Sequence, residues 1–246
     1  MAEPRRRLKS GESIHLDSCV LRVKDGHWAY AARLSGQIER HWSEASSRNP
    51  HIFNGVIYPL VDHAIDERQF FGDYVQSDFA SYLYWRENGF CDPPTCDGFA
   101  SVMLMSSRGR YLMTKAAAHT LNAGLWVPSG GMIDRRDVAS DGTIDVWGYG
   151  LRELAEETGL SEPDIVRKPG MQIARDAALI VYGLFCEAEE PEEVILQRFQ
   201  EHNQSLAETS ELEEVRWFST DEILRGELVP RYVQLLLQSS SECATR

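Results

Sequence analysis

Gly150-Leu-Arg-Glu-Leu-Ala-Glu-Glu-Thr-Gly-Leu160 is the stretch of this sequence that decides the fold. Three of its carboxylates, Glu153, Glu156 and Glu157, occupy positions i, i+3 and i+4. With about 3.6 residues per turn, this spacing predicts a helix that carries the three acids on one face, close enough to share an ion. The acidic face therefore indicates a divalent-cation site.

The other positions of the same segment predict how the helix packs. Trp147, Leu151, Leu154 and Thr158 recur at i, i+4, i+7 and i+11, a spacing typical of a buried helix face. Gly159 is the residue type that closes a helix at its C-terminal end. We therefore expect a helix that ends at Gly159, with acids on one side and a packing surface on the other.

Residues 152 to 160 match a known motif. Arg-Glu-Leu-Ala-Glu-Glu-Thr-Gly-Leu resembles the second half of the Nudix box, R-E-U-x-E-E-x-G-U with U aliphatic, at every fixed position. The first half, G-x5-E followed by seven residues, departs from the pattern: counting from Gly131 puts Asp137 where the family has Glu, and the gap to Arg152 is seven residues too long. The extra segment 138–144 is polar and contains Asp-Gly, which predicts an enlarged loop before the helix.

The resemblance implies a metal-dependent hydrolase that cleaves a nucleoside diphosphate linked to another group, with Mg²⁺ or Mn²⁺ as cofactor. It makes Glu153, Glu156 and Glu157 metal ligands, which suits hard cations that prefer oxygen donors. It gives Arg152 the task of holding a glutamate by ion pairing. Gly131 joins the predicted metal site because a residue without Cβ lets the backbone approach the ion closely.

Candidate substrate contacts lie before the box. The segment 115–126 is expected to run beside the site, so His119 and Asn122 are candidate substrate contacts. Gly130 of the glycine pair and Asp137 of the box are the other two candidates. For a lone histidine, a loop hydrogen bond is the alternative interpretation. Asp137 and the nearby Asp134 fall where the family often has acids, and either is a candidate outer partner of the metal site.

The sequence does not single out one residue as the general base. Some members of the family take it from a late loop, which here offers Glu208, Glu211, Glu213 and Glu214. A solvated loop explains the same acidic run equally well.

The substrate is indicated only by a short motif. Asn49-Pro-His-Ile-Phe-Asn-Gly55, followed by an aromatic region and an enlarged box, is similar to UDP-glucose diphosphatase-type Nudix proteins. That similarity implies cleavage of UDP-glucose or UDP-galactose to UMP and a sugar 1-phosphate. ADP-ribose, a dinucleotide or a nucleoside triphosphate is the alternative within the enzyme class. A non-catalytic Nudix-fold module that senses a nucleotide is the alternative from another class, and the retention of all three glutamates disfavours it.

Composition limits the class of protein, its partners and its expected location. The 246 residues are 43% hydrophobic and carry a net charge of −13, which indicates a folded protein and argues against a nucleic-acid backbone as partner. No apolar run is long enough to span a membrane, no signal peptide follows Arg5-Arg6-Arg7, and the number of cysteines is odd, so we expect a cytoplasmic protein. Oligomeric state is left undetermined.

The order of predicted elements gives the fold class. We expect an α+β protein with a Nudix-type mixed β-sheet sandwiched between α-helices over residues 98–246. Residues 1–97 form an N-terminal α/β extension, an accessory region expected to pack on that core. A hairpin is predicted where residues 100–105 and 111–114 flank a Ser-Ser-Arg-Gly-Arg turn.

Overall fold

The described part of the chain contains fourteen strands and seven α-helices. The structure, a computed structural model, describes residues 5–206 and 210–238. The strands are β1 (Ser13–Leu16), β2 (Ser18–His27), β3 (Val56–Ile57), β4 (Leu60–Asp66), β5 (Gln69–Asp78), β6 (Asp97–Met105), β7 (Tyr111–Ala116), β8 (Trp126–Val127), β9 (Ser129–Met132), β10 (Thr143–Ile144), β11 (Ile165–Arg167), β12 (Met171–Asp176), β13 (Leu179–Ala188) and β14 (Leu212–Phe218). The helices are α1 (Ala29–Arg33), α2 (Ser35–Arg48), α3 (Phe79–Glu87), α4 (Val146–Thr158), α5 (Glu192–Leu206), α6 (Thr220–Arg225) and α7 (Arg231–Gln238).

The larger sheet carries the core of the molecule. Its main path runs β1-β12-β13-β6-β7-β14, with β8, β9 and β11 joined to its members. Strands β6 and β13 pair in parallel, whereas their other neighbours are antiparallel, so the sheet is mixed. The predicted hairpin is confirmed as β6 and β7, which meet at Met105 and Tyr111.

Helices cover the two faces of this sheet. On one face, Leu154 of α4 lies in the same apolar cluster as Ile173 and Leu184. On the other face, Leu236 of α7 packs in a second cluster with Val181. The predicted mixed sheet between helices, and with it the α+β class, is confirmed.

The second sheet is built largely from the N-terminal region. Its order is β10-β2-β5-β3, with β4 also paired to β5, and β2 runs parallel to β5. Strand β10 belongs to the enlarged segment before α4, and its Ile144 pairs with Leu21 of β2. The segment predicted as a loop therefore ends in a short strand, because it finds a hydrogen-bonding partner far away in sequence.

The N-terminal region also joins the larger sheet. Strand β1 pairs with β12, from Ser13 opposite Ala174 to Leu16 opposite Met171. Aromatic residues of α1 and α3, among them Tyr30, Tyr82 and Trp85, form a third apolar cluster. Among the described residues, no helix is long and apolar enough to cross a membrane.

Candidate active site

Helix α4 carries the three predicted acids, and both of its ends are capped. At the start, the Asp145 side chain accepts a hydrogen bond from the Trp147 backbone N–H at 3.1 Å. At the end, Gly159 has φ 71°, and its N–H bonds to the Ala155 carbonyl at 3.0 Å. This is the left-handed cap that the sequence predicted. Of the predicted packing face, Leu154 and Thr158 are buried, whereas Trp147 and Leu151 are half-buried at the edge of the same apolar cluster.

Glu157 lies against strand β9. Its carboxylate accepts a hydrogen bond from the Gly130 backbone N–H at 3.3 Å and another from the Ser129 hydroxyl. Burial, followed by the charge of Glu153, nevertheless raises the pKa of Glu157 well above its usual range. The charged form of Glu157 is therefore unfavourable unless a further positive charge approaches.

Glu153 stands one turn earlier on the same face. Its side chain is 15% exposed and pairs with Arg152 at 2.8 Å. Burial raises the pKa of Glu153 to about 7, with the charge of Arg152 opposing the shift and that of Glu156 adding to it. Two neighbouring carboxylates thus share a partly buried site and repel each other.

The glycine pair lets the helix and strand approach closely. A Cβ built on Gly131 would lie 2.7 Å from Cδ of Glu153, so only glycine leaves room for that carboxylate. Tyr149, buried on α4, fixes the same strand: its hydroxyl donates to the Gly131 carbonyl at 2.9 Å and accepts from the Ala100 N–H. Strand β9 is thereby held between α4 and β6.

Arg152 connects the acids of the box. Its guanidinium donates two hydrogen bonds of 2.9 Å to Asp137 and one of 2.9 Å to Glu156, besides its contact with Glu153. Glu156 also accepts from Arg136 at 2.9 Å. One arginine therefore orders three carboxylates, and Glu156 is turned towards two guanidinium groups.

Asp137 is held within the protein. Its side chain is 2% exposed, and its carboxylate accepts from the Asp134 backbone N–H at 2.9 Å as well as from Arg152. Burial raises the pKa of Asp137, and the bonds to Asp134 and Arg152 oppose that shift. The structure brings Asp137 to the arginine of the box and gives it a positioning contact.

The donor set fits a hard divalent cation in its chemistry. Glu153 and Glu157 offer carboxylate oxygens in a partly buried position where burial and mutual repulsion disfavour their charges. A cation there would add positive charge beside both carboxylates, of which only Glu153 is paired with an arginine. Within residues 5–206 and 210–238, however, no three acid, histidine or cysteine side chains converge on one point. Glu156 pairs with arginines instead, so the fit rests on the other two carboxylates.

The late acidic segment approaches the same site through Glu211. The charge of this residue contributes to the raised pKa of Glu157, after burial and the charge of Glu153. Glu213 pairs with Lys115 at 3.4 Å, and Glu214 pairs with Arg216 at 2.6 Å. Glu208, the fourth candidate base, lies outside the described residues.

A cavity of about 200 Å³ opens beside the glycine pair. It is lined by Tyr82, Arg86, Phe90, Asp97, Phe99, Ser101, Leu121, Asn122, Val127, Pro128, Gly130, Gly131, Met132, Leu179 and Tyr232. The cavity thus lies between α3 of the N-terminal region and strands β6 and β9. Of the predicted substrate contacts, Asn122 and Gly130 line it.

His119 takes a different position. Its ring centroid lies 5.5 Å from that of His51, and its backbone carbonyl accepts from Asn49 at 3.4 Å. This contact joins the motif at residues 49–55 to the loop before β8. A larger cavity of about 340 Å³ lies on the second sheet, and its lining includes none of the predicted site residues.

Residues 96–238 match the family model of the NUDIX domain. The chain belongs to the Nudix family. Membership makes it a hydrolase, and Nudix hydrolases generally use divalent metals such as Mg²⁺ or Mn²⁺. No curated protein matches the sequence.

Solved Nudix structures are similar in fold at low sequence identity. The MutT protein of Methanosarcina mazei Go1 is 18% identical with a TM-score of 0.40, over 61% of this chain and 95% of that one. The Ap4A hydrolase of C. elegans is 15% identical with a TM-score of 0.41, over 60% and 99%. The NUDIX domain of Shewanella oneidensis NrtR, complexed with ADP ribose, is 18% identical with a TM-score of 0.39, over 65% and 97%.

Several residues around the Nudix box were not found by sequence reasoning. Tyr149 stands four residues before Glu153, which puts it on the same helix face as the acids. That spacing is the signal that could have identified it from the sequence. Arg136 carried no such signal, because its pairing with Glu156 spans the enlarged segment. The residues that α3 contributes to the cavity depend on contacts between distant parts of the chain.

Proposed function

We propose that the protein is a divalent-cation-dependent pyrophosphohydrolase of nucleoside diphosphate sugars. The observation that carries this proposal is the meeting of Glu153 and Glu157 at the Gly130-Gly131 pair, beside a half-open cavity. Two carboxylates that destabilise each other's charge need a cation, and a cation in turn recruits a diphosphate in a protein of net charge −13.

The protein groups divide into ligands and supports. Glu153 and Glu157 would hold Mg²⁺ or Mn²⁺, with Glu156 joining them once it leaves Arg136. Arg152 orients the acids, and the buried Asp137 holds Arg152 in position through an ion pair. When bound, the cation offsets the charge of the diphosphate and lowers the pKa of a coordinated water.

Glu211 is the proposed general base. It is exposed immediately before β14, and its charge acts on Glu157. A carboxylate at this position is close to the diphosphate site and open to water, as the acceptor of a proton from attacking water must be. Glu213 pairs with Lys115 of β7 and Glu214 with Arg216 of β14, so these two carboxylates are less available.

The N-terminal region completes the substrate site in this proposal. Residues 98–246 form the catalytic domain, and residues 1–97 form an accessory region that supplies one wall of the cavity. Asn54 supports that wall, because its side chain accepts from the Ala80 N–H at 2.7 Å at the start of α3. Arg86 on the same helix donates to the Leu121 carbonyl at 3.0 Å. The motif at residues 49–55 is thereby linked to the substrate site.

Hydrolysis of a substrate panel tests the proposal. The full chain is incubated with Mg²⁺ or Mn²⁺ and nucleoside diphosphate sugars, beginning with UDP-glucose and UDP-galactose, alongside ADP-ribose, dinucleotides and nucleoside triphosphates. Release of a nucleoside monophosphate and a sugar 1-phosphate supports the sugar nucleotide class. Turnover confined to the other compounds refutes it, and binding without turnover indicates a sensing module.

Two matched variants test the assignment of the ligands. Glu157→Gln should lower the rate by about a hundredfold or more, because the metal supplies several kcal/mol of charge stabilisation. Glu201→Gln makes the same change on the exposed face of α5, where Glu201 accepts from Gln197 of its own helix, and should keep the full rate. Equal rates for the two variants would show that Glu157 holds no catalytic ion.

A further inference from the structure

The cavity beside the glycine pair has apolar walls and a polar end. Phe90, Phe99, Leu121, Met132 and Leu179 supply aromatic and aliphatic surface. Such walls suit a flat ring that stacks through its faces more than a sugar whose hydroxyl groups all need partners. The polar side chains of the lining lie together at one end of the cavity, so they would contact one edge of a bound ring.

Asp97 is the acid at this polar end. It is 8% exposed, and the Tyr82 hydroxyl donates to its Oδ2 atom at 2.7 Å. Burial raises the pKa of Asp97, while the bond from Tyr82 and the charge of Arg86 favour the carboxylate. A carboxylate has acceptor capacity for several hydrogen bonds, so Tyr82 leaves room for donors from a ligand.

Arg86 is committed to the protein and cannot serve as the counter-ion of a substrate phosphate in this position. Its guanidinium donates to the Leu121 carbonyl at 3.0 Å and to Oδ1 of Asn122 at 3.2 Å. These bonds hold the loop before β8 against α3. The acceptor groups of Asp97 are therefore what the polar end presents to a ring edge that carries N–H groups.

We propose that this cavity binds the nucleobase of the substrate and selects guanine through Asp97. Guanine presents N1–H and its 2-amino group side by side, which matches the two oxygens of a carboxylate. Adenine and cytosine place an acceptor nitrogen beside their amino group. Uracil flanks its single N–H with two carbonyl oxygens, which a carboxylate repels. The inference rests on the proposed function and changes the expected nucleoside from uridine to guanosine.

Nucleotide binding to the wild-type chain is the first test, and it needs no hydrolysis. Calorimetric titrations with GMP, IMP, AMP and UMP are run on the full chain in Mg²⁺. We expect GMP to bind about tenfold more tightly than IMP, which lacks the 2-amino donor, and about a hundredfold more tightly than AMP or UMP. Equal affinities for GMP and IMP, or tighter binding of UMP, would overturn the inference.

The second test removes the charge of Asp97. Asp97→Asn should bring the GMP-to-IMP ratio close to one, whereas Asp73→Asn should keep the wild-type ratio, because Asp73 pairs with Lys24 on the second sheet at 3.3 Å. A folded Asp97→Asn protein that still prefers GMP contradicts the inference. If this variant does not fold, the nucleotide series on the wild-type chain decides alone.

Kinetics with four glucose nucleotides separate this inference from the proposed function. We expect kcat/KM to follow the order GDP-glucose, IDP-glucose, then ADP-glucose and UDP-glucose. Hydrolysis that ignores the base, or that follows only the sugar, overturns the base assignment and leaves the proposed function standing. Selective GMP binding without hydrolysis of any sugar nucleotide would support the base assignment and refute the proposed function.

Discussion

Replacing Gly131 with alanine separates catalysis from folding. The new Cβ would lie 2.7 Å from Cδ and 3.0 Å from Oε1 of Glu153. The backbone of Gly131 is outside the left-handed region, and the atoms it meets end a flexible side chain, so the carboxylate moves and the strand stays. Normal contact requires a shift of about 1 Å, for which an off-rotamer side chain costs about 1 kcal/mol.

The expected result is a large kinetic effect with a small thermal one. A misplacement of about 1 Å in a catalytic group lowers the rate by about a hundredfold. A cost of about 1 kcal/mol lowers the melting temperature by only about 2–4 °C in a protein of this size. The assay is metal-dependent hydrolysis of the best substrate of the panel, with thermal unfolding measured on the same preparation.

Two other glycines provide the controls. At Gly130, a Cβ would meet the Ala100 carbonyl oxygen and lie 3.1 Å from Cα of Ser101, so Gly130→Ala must displace β6 and should cost about 3 kcal/mol of stability. Gly36→Ala lies on α2 with nothing closer than 3.8 Å, and should leave rate and stability unchanged or improve stability. A Gly131→Ala protein with the wild-type rate, or one that fails to fold, refutes the reasoning.

Three further changes have definite expected outcomes. Saturating Mg²⁺, at about a hundred times its dissociation constant, should stabilise the wild type by about 2.7 kcal/mol; in thermal melts with and without the metal, Glu157→Gln should lose this gain. Burial lowers the pKa of His63 to about 4, and its contact with the Leu8 backbone opposes that shift only in part. Because the unfolded chain binds this proton below about pH 6.5, stability should fall by up to about 3 kcal/mol from pH 6.5 to 4, and urea titrations across that window should show a shallower loss for His63→Phe. Asp137→Asn should lower the free energy of unfolding by about 2–3 kcal/mol in urea, because Arg152 loses its buried partner; an unchanged midpoint would contradict the positioning role.

Local patterns predicted helix α4 well. The periodicity of residues 147–158 and the cap at Gly159 involve neighbours within a few turns, so the sequence alone specifies them. The same holds for the hairpin of β6 and β7, whose turn chemistry is local. The grouping of Glu153 and Glu157 on one face follows from helix geometry for the same reason.

Contacts between distant segments were beyond this reasoning. The pairing of Ile144 with Leu21 turns part of the enlarged segment into a strand, yet nothing in the local sequence names the partner. Likewise, Arg86 reaches Asn122 across the cavity because α3 packs beside the larger sheet. Such contacts arise from tertiary packing, and a single sequence carries their pattern only weakly.

The pairing of β1 with β12 has a consequence during protein synthesis. Residues 13–16 find their partners roughly 150 residues later, and at about 5–20 residues per second the ribosome needs roughly 10–30 s to deliver them. Strands β2, β4 and β5 are complete within the first 78 residues, so their sheet has all its long strands much earlier. In the nascent chain, one edge of β2 therefore stays unpaired until β10, which comes just before α4, has been synthesised. Leu16, fully buried in the finished fold, remains without its edge partner until Met171 has been synthesised.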